Sequence, residues 1–249
     1  MDTWAASSRR RVQAALVTVG ALVTTGCAGR VGLPEPGTQQ GDSVVDLWRF
    51  LFWTAAALGG LVLVLLGWCI VRYRARGPDD GFLPPQVRGN LVVEAVYITV
   101  PLLIVGAIFI LSVRARPATA GNGNRGPAVT VDVTGFQWQW RFDYPGRDVS
   151  VLGTPEQPPE LVLPVGRPVD LRLHSPDVIH SFFVPGFLGK VDVLPGLDQH
   201  FRLRPVRPAR YSGFCAEFCG LNHSRMNFSV RVVPAGEFDA WVAQAAARP

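Results

Sequence analysis

Two long apolar runs, followed by a long stretch of period-two alternation, set the outline of the chain. From Phe50 to Val71 the sequence FLFWTAAALGGLVLVLLGWCIV carries no charge. At about 1.5 Å per residue, a helix of this length crosses a hydrocarbon core of about 30 Å. Trp48, Trp53 and Trp68 lie near its ends, where amphipathic rings favour the membrane interface. A second uncharged run, AVYITVPLLIVGAIFILSV from Ala95 to Val113, is long enough to return. Pro101 is tolerated there because neighbouring helices can satisfy the carbonyl it frees. The pattern predicts a transmembrane hairpin over residues 47–116, with helices at about 48–71 and 94–113. Arg72, Arg74, Arg76 and Arg88 outnumber Asp79 and Asp80 between the two runs, so the connection belongs in the cytoplasm and everything after Val113 outside.

A linker of small and polar residues, 117–127, leads to alternating segments: AVTVDVTGFQWQWRFDY, PELVLPVGRPVDLRLHS and DQHFRLRPV. Each is punctuated by Pro and Gly, as expected of short strands that bury one face. A helical period appears only in the final PAGEFDAWVAQAAA. The predicted architecture is membrane-anchored α+β: the hairpin, an all-β sandwich or barrel over 128–235, and a short helix over 236–249. Ahead of the hairpin, SSRRR and the apolar VQAALVTVGALVTTG read as an export signal over 1–26. The cysteine that follows, Cys27, stands where a bacterial lipoprotein is cleaved and acylated, which leaves 27–46 as an extracytoplasmic segment.

Composition sharpens this outline. Hydrophobic residues make up 48% of the 249, which favours a membrane protein. The formal charge of +5 comes from arginines and the single Lys190 scattered along the chain, with no basic run interleaved with aromatics; nucleic-acid binding is therefore excluded from the reading. With only four Cys, four His and two Met in all, the twelve residues CAEFCGLNHSRM, Cys215 to Met226, are a concentrated set of metal donors. A Cys215–Cys219 disulfide suits an exported domain but gives Met226 and the histidines no purpose. Structural zinc prefers two-residue gaps between paired cysteines and does not recruit a thioether. Thiolate, thioether and imidazole together suit copper and electron transfer. A blue-copper site needs one thiolate, so a second cysteine points to two coppers bridged by Cys215 and Cys219. His180 and His223 would cap one metal each, with Met226 and the carbonyl of Glu217 as weak further ligands.

The segments GFQWQWRFDYP, DVIHSFFVPGFLGKVDVLPG and YSGFCAEFCGLNHSRM, in this order after two apolar helices, resemble subunit II of bacterial haem-copper cytochrome c oxidases, from about Asp46 onward. The resemblance implies a cupredoxin-like Greek-key domain with a binuclear copper centre, CuA. That centre would take electrons from a cytochrome c and pass them to haem in subunit I, which also holds CuB; subunit III completes the complex in the cell membrane. It further implies that Trp138 is the point of electron entry, that Trp140 packs beneath the copper site, and that the Glu217 carboxylate holds Mg²⁺ or Mn²⁺ at the subunit I interface. Glu94 would stand at the entrance of a proton path. Phe214 and Gln139 depart from the family's more common Gln and Tyr without removing a ligand. Residues 117–249 carry thirteen basic against twelve acidic side chains, which makes poor steering for a free basic cytochrome; a donor tethered to the membrane or fused to a bc complex fits better. His174 and His200, in strand-like runs, read as structural or surface residues. Two other functions stay open: the CuA subunit of a nitric or nitrous oxide reductase-type complex, and a membrane-anchored copper assembly protein.

Overall fold

The computed structural model describes residues 32–74, 86–119, 128–154 and 156–247. Cys27, the signal segment, and Arg76, Asp79 and Asp80 of the helix connection lie outside these residues. Helix α1 spans Gln39–Arg72 and α2 spans Leu91–Thr119. The two pack against each other, and none of the residues in their apolar windows is buried. Both helices are longer than the hydropathy alone predicts. At the start of α1, Thr38 adopts an extended conformation and its side-chain oxygen accepts the Gly41 N–H, with Asp42 in the first turn; cap and dipole carry the helix well ahead of its apolar stretch. At its far end, α2 runs into the segment read as linker. Cys69, which looks like a small buried apolar residue in sequence, is exposed on α1.

Ten strands follow, arranged as two five-stranded sheets. The first sheet contains β1 (Val129–Phe136), β2 (Gln139–Tyr144), β3 (Val149–Leu152), β5 (Val169–His174) and β8 (Gln199–Leu203), ordered β3-β2-β1-β5-β8. The second contains β4 (Glu160–Pro164), β6 (His180–Val184), β7 (Gly189–Val193), β9 (Ala209–Cys215) and β10 (Asn227–Val233), ordered β4-β10-β9-β6-β7. The β1–β5 and β4–β10 pairs are parallel, and the remaining neighbours are antiparallel. Alternate residues of each strand turn inward, as the period-two pattern requires. Val131, Val133, Trp140, Phe142, Leu171 and Leu173 from the first sheet meet Leu161, Leu163, Phe182, Val184, Phe228 and Val230 from the second. The stacked rings of Phe182 and Phe228, 4.7 Å apart, lie under the edge of Trp140.

One polar side chain crosses this apolar layer. The Tyr144 hydroxyl donates to the Val162 carbonyl at 3.0 Å and accepts the Val162 N–H at 2.9 Å, so strand β2 is tied to the edge strand β4 of the opposite sheet. Burial raises the Tyr144 pKa well above the ordinary tyrosine range, which keeps the hydroxyl protonated and able to donate. Helix α3, Ala235–Ala246, closes that end of the sandwich by burying Phe238 and Val242.

The register of the second sheet places the donor residues. Phe182 pairs with Cys215, Phe183 with Phe214, and Phe214 with Asn227. The first residue of β6, the last of β9 and the residue just before β10 therefore share one end of the sheet: His180, Cys215 and Met226. The Gln137–Trp138 turn between β1 and β2 reaches the same end from the first sheet, as its contact with Cys219 shows.

Candidate metal centre

The loop after β9 is built to bring its donors back over the sheet. Cys215 N–H donates to the Met226 carbonyl and Ala216 N–H to the Ser181 carbonyl, both at 3.0 Å, so both ends of the loop are pinned to neighbouring strands. Gly220 turns the chain with φ +115°, a conformation that strains any side chain. A 3-10 turn over His223–Arg225 then returns the chain to Met226 and β10.

The two thiol sulfurs lie 3.8 Å apart. That is far beyond the roughly 2.05 Å of a disulfide, and both cysteines are free. An imidazole lies beside each sulfur: His180 Nδ1 is 3.9 Å from Cys215 Sγ, and His223 Nδ1 is 3.6 Å from Cys219 Sγ, with His223 interacting with Cys215 as well. Each also has a weaker donor beside it. The Glu217 carbonyl lies 3.2 Å from Cys215 Sγ, and Met226 Sδ lies 3.8 Å from Cys219 Sγ. All six residues picked out by sequence thus converge around a sulfur pair. Among the described residues, His180, Cys215 and Cys219 form a buried group whose ligand atoms lie within 4.8 Å of one another, able to hold a metal ion. His180 is fully buried, whereas His223 is only partly so.

The electrostatics of the sulfur pair are split. Burial raises the Cys215 thiol, but hydrogen bonding with His180 and with backbone groups at Glu217 and Ser181 outweighs this and brings its pKa down to about 6. Cys219 is pushed up to about 12 by burial and by the neighbouring Cys215 charge. Two negative sulfurs this close need a cation between them. The soft, mixed donor set fits copper in chemical type.

A carboxylate outside the sequence-derived set organises the approach. Asp177 Oδ1 lies 2.9 Å from His180 Nε2, and its carboxylate accepts from Gln137 N–H at 2.7 Å, Val178 N–H at 2.6 Å and Ser175 Oγ at 3.0 Å. Burial opposes its charge, but the bonds from Gln137, His180, Val178 and Ser175 prevail and hold it below the ordinary Asp range. Bonded to Asp177 through Nε2, His180 presents Nδ1 to the sulfurs, the arrangement that fixes tautomer and ring direction at metal sites. In sequence, Asp177 stands three residues before His180 in SPDVIH; that spacing next to a metal-binding His was the signal available.

The remaining candidates occupy distinct places. Trp138 is partly exposed, and its Nε1–H donates to the Cys219 carbonyl at 3.0 Å, beside a parallel bond from Gln137 Nε2 at 2.9 Å. Trp140 is fully buried beneath the site, its ring 6.2 Å from that of His180. The Glu217 carboxylate points away from the sulfurs and lies 3.6 Å from Lys190 Nζ, which also pairs with Asp192 at 3.0 Å. Glu94 sits far along the chain in the first turn of α2, where its carboxylate accepts the Asn90 N–H at 3.1 Å while Asn90 Oδ1 accepts from Val92 and Val93. It is thus part of the helix cap. His174 and His200 lie outside the cluster: His174 meets Thr134 Oγ1 at 3.3 Å and His200 meets Asp170 at 3.0 Å.

The model of the family "Cytochrome C oxidase subunit II, periplasmic domain" matches residues 149–233, a span that contains all the donors. A probable cytochrome c oxidase subunit 2 of Streptomyces avermitilis is 36% identical over 268 residues, covering 90% of this chain and 83% of that protein. Its counterpart in Streptomyces coelicolor is also 36% identical, covering 93% and 85%. Among solved structures, the periplasmic domain of subunit II of cytochrome oxidase (CoxB) of Bradyrhizobium japonicum is 30% identical. It covers 49% of this chain and 96% of its own, with a TM-score of 0.45.

One prediction follows from Asp177. Its replacement by Ala leaves His180 free to turn, and copper affinity falls by about 10- to 100-fold, as for other partners of metal-bound histidines, while the β-sheet circular dichroism stays native. Chelator competition measures the affinity; unchanged affinity would mean that packing alone orients His180.

Proposed function

This chain belongs to the cytochrome c oxidase subunit II family, a component of haem-copper oxidases, and from that premise we propose that it is the electron-transfer subunit of a terminal oxidase, holding a binuclear copper centre. The observation that carries the reading is the donor set: two free sulfurs 3.8 Å apart, with two imidazoles, a thioether and a carbonyl within 4 Å of one sulfur or the other. One metal needs fewer ligands than this, and two metals use all of them. Cys215, Cys219, His180, His223, Met226 and the Glu217 carbonyl would together hold the pair. When bound, such a centre supplies a one-electron store whose charge is shared between two metals.

The residues of the chain then have separate tasks. Trp138 offers a partly exposed aromatic face to a cytochrome c donor, and its hydrogen bond to the Cys219 carbonyl gives a direct bonded route to a metal ligand. Burial of Cys215, Cys219 and Met226 keeps the metal in place. That favours a resident centre over copper delivery. Electrons leave for haem in subunit I, with subunit III completing the complex. The Glu217 carboxylate, already turned away from the sulfurs, would bind Mg²⁺ or Mn²⁺ at the subunit I interface by leaving Lys190. The near-neutral domain suits a cytochrome held at the membrane, by a tether or by fusion to a bc complex, rather than one steered through solution. The two apolar helices anchor the chain in the cell membrane, with the copper domain outside and Cys27 acylated. Glu94, at the cytoplasmic end of α2, would receive protons for the catalytic subunit.

Three outcomes test this reading. The copper-loaded protein should give the multiline EPR spectrum of a mixed-valence pair; a four-line, single-copper pattern would sink the two-metal assignment. Trp138→Gln should slow electron entry several-fold while copper content stays complete, and a normal rate would make Trp138 a packing residue. Glu94→Gln preserves an acceptor for the Asn90 N–H, so it should slow proton uptake in the assembled oxidase without unfolding the helix cap; native uptake kinetics would leave Glu94 with capping alone.

A further inference from the structure

The end of the segment ahead of α1, expected from the sequence only to be extracytoplasmic, is built into the sandwich. Gly37 N–H donates to the Gly186 carbonyl at 2.7 Å, and the Gly37 carbonyl accepts from Val206 N–H at 3.0 Å. Gln39 N–H donates to the Arg204 carbonyl, and Arg204 N–H donates back to Gln40 Oε1, both at 3.0 Å. Thr38 is fully buried, and its hydroxyl, besides capping α1, reaches the Phe187 carbonyl at 3.3 Å. Glu35 pairs with Arg207. Gly37 lies so close to Tyr211 that a Cβ would come within 2.5 Å of the phenol oxygen. Residues 35–40 are thus gripped between the 185–187 turn and the 204–207 loop.

These two loops adjoin the strands that carry the metal donors. The 185–187 turn directly follows β6, which begins at His180; the 204–207 loop directly precedes β9, which ends at Cys215. The grip therefore lies at one end of these strands and the copper ligands at the other, about 13 Å away along β6 and about 20 Å along β9 at roughly 3.3 Å per residue. We propose that residues 35–40 are a positioning clip, which locks the copper domain to the membrane hairpin and so sets the distance and angle at which the site faces its electron acceptor. This rests on the electron-transfer reading above.

The mechanical argument is that of two attachments against one. The sandwich leaves the hairpin through the end of α2, and a body held there alone can swivel. The clip adds a second attachment at the start of α1. Over a lever of about 13 Å, a tilt of only about 5° moves His180 by roughly 1 Å, and electron transfer through protein falls off exponentially with distance. Gln40 and Glu35 are far from every metal donor, so they can act on transfer only through position.

The test uses Gln40→Ala, Glu35→Arg and the charge-reversed pair Glu35→Arg with Arg207→Glu, each in the assembled oxidase. The expected result is a several-fold slower transfer from the copper centre to haem in the two single variants, with an unchanged multiline EPR spectrum and unchanged entry through Trp138. The charge-reversed pair should recover most of the lost rate. Native transfer in both single variants, or no recovery in the pair, would overturn the proposal. Hydrogen exchange on the full chain in detergent gives a copper-independent arm. The Gly37, Gln39, Arg204 and Val206 amides should be protected in the native protein and lose protection in the single variants, while β9 keeps its own. Unprotected amides in the native chain would refute the clip directly. A native oxidase without the multiline signal would count against the two-metal reading, and the exchange arm would then decide the clip by itself.

Discussion

The structure depends on holding two sulfurs 3.8 Å apart in a buried place. Such a pair cannot carry two negative charges without a cation, and the opposite displacements of Cys215 and Cys219 express that conflict: the first thiol gives up its proton readily and the second resists. Everything around the pair serves to prevent relaxation. The pairing of Phe182 with Cys215 and of Asn227 with Phe214 fixes one sulfur and the return of the loop. A one-residue slip in either pairing would turn Cys215 to the other face of the sheet. The aromatic layer of Trp140, Phe182 and Phe228 supplies a floor too densely packed to let the donors sink inward.

A second level of order surrounds the first. Asp177 binds His180 and the Gln137 N–H at once, and Gln137 and Trp138 both bond the Cys219 carbonyl. The two sheets are therefore joined at the metal end by a ring of hydrogen bonds that includes a ligand from each cluster segment. At the other end, Tyr144 joins them through Val162. An apolar sandwich core is tolerant of sliding; directional bonds at both ends remove that freedom.

Much of this was legible in sequence, for reasons that differ from residue to residue. The hairpin and the strands announce themselves by periodicity, and Cys215, Cys219, His223 and Met226 by lying within one loop. His180 is distant in sequence, and its place came from the family resemblance and from the count of imidazoles that two metals need. Asp177 was missed because its one signal, a spacing of three from His180, is common to many loop acids that touch no histidine. The grip on residues 35–40 was missed for a deeper reason: it is made mostly by backbone groups of Gly37, Gln39, Arg204 and Val206, and backbone pairing leaves no trace in residue type. The start of α1 shifted for a related cause, since Thr38 as a cap outweighs a hydropathy boundary. Glu94, expected from the resemblance at a proton path, lies in the first turn of α2, and its partner Asn90 becomes evident only once the cap is folded.

The two imidazoles differ in one further respect: His180 is sealed from solvent and His223 is not. Water near a redox centre must reorient whenever the charge changes, and that reorientation is part of the barrier. Here solvent reaches His223 and Glu217, while His180 is held by the Asp177 carboxylate and the Trp140 ring. The polarisable environment is thus lopsided. A surface that covered His223 and Glu217 would exclude water from that side without touching the sulfurs.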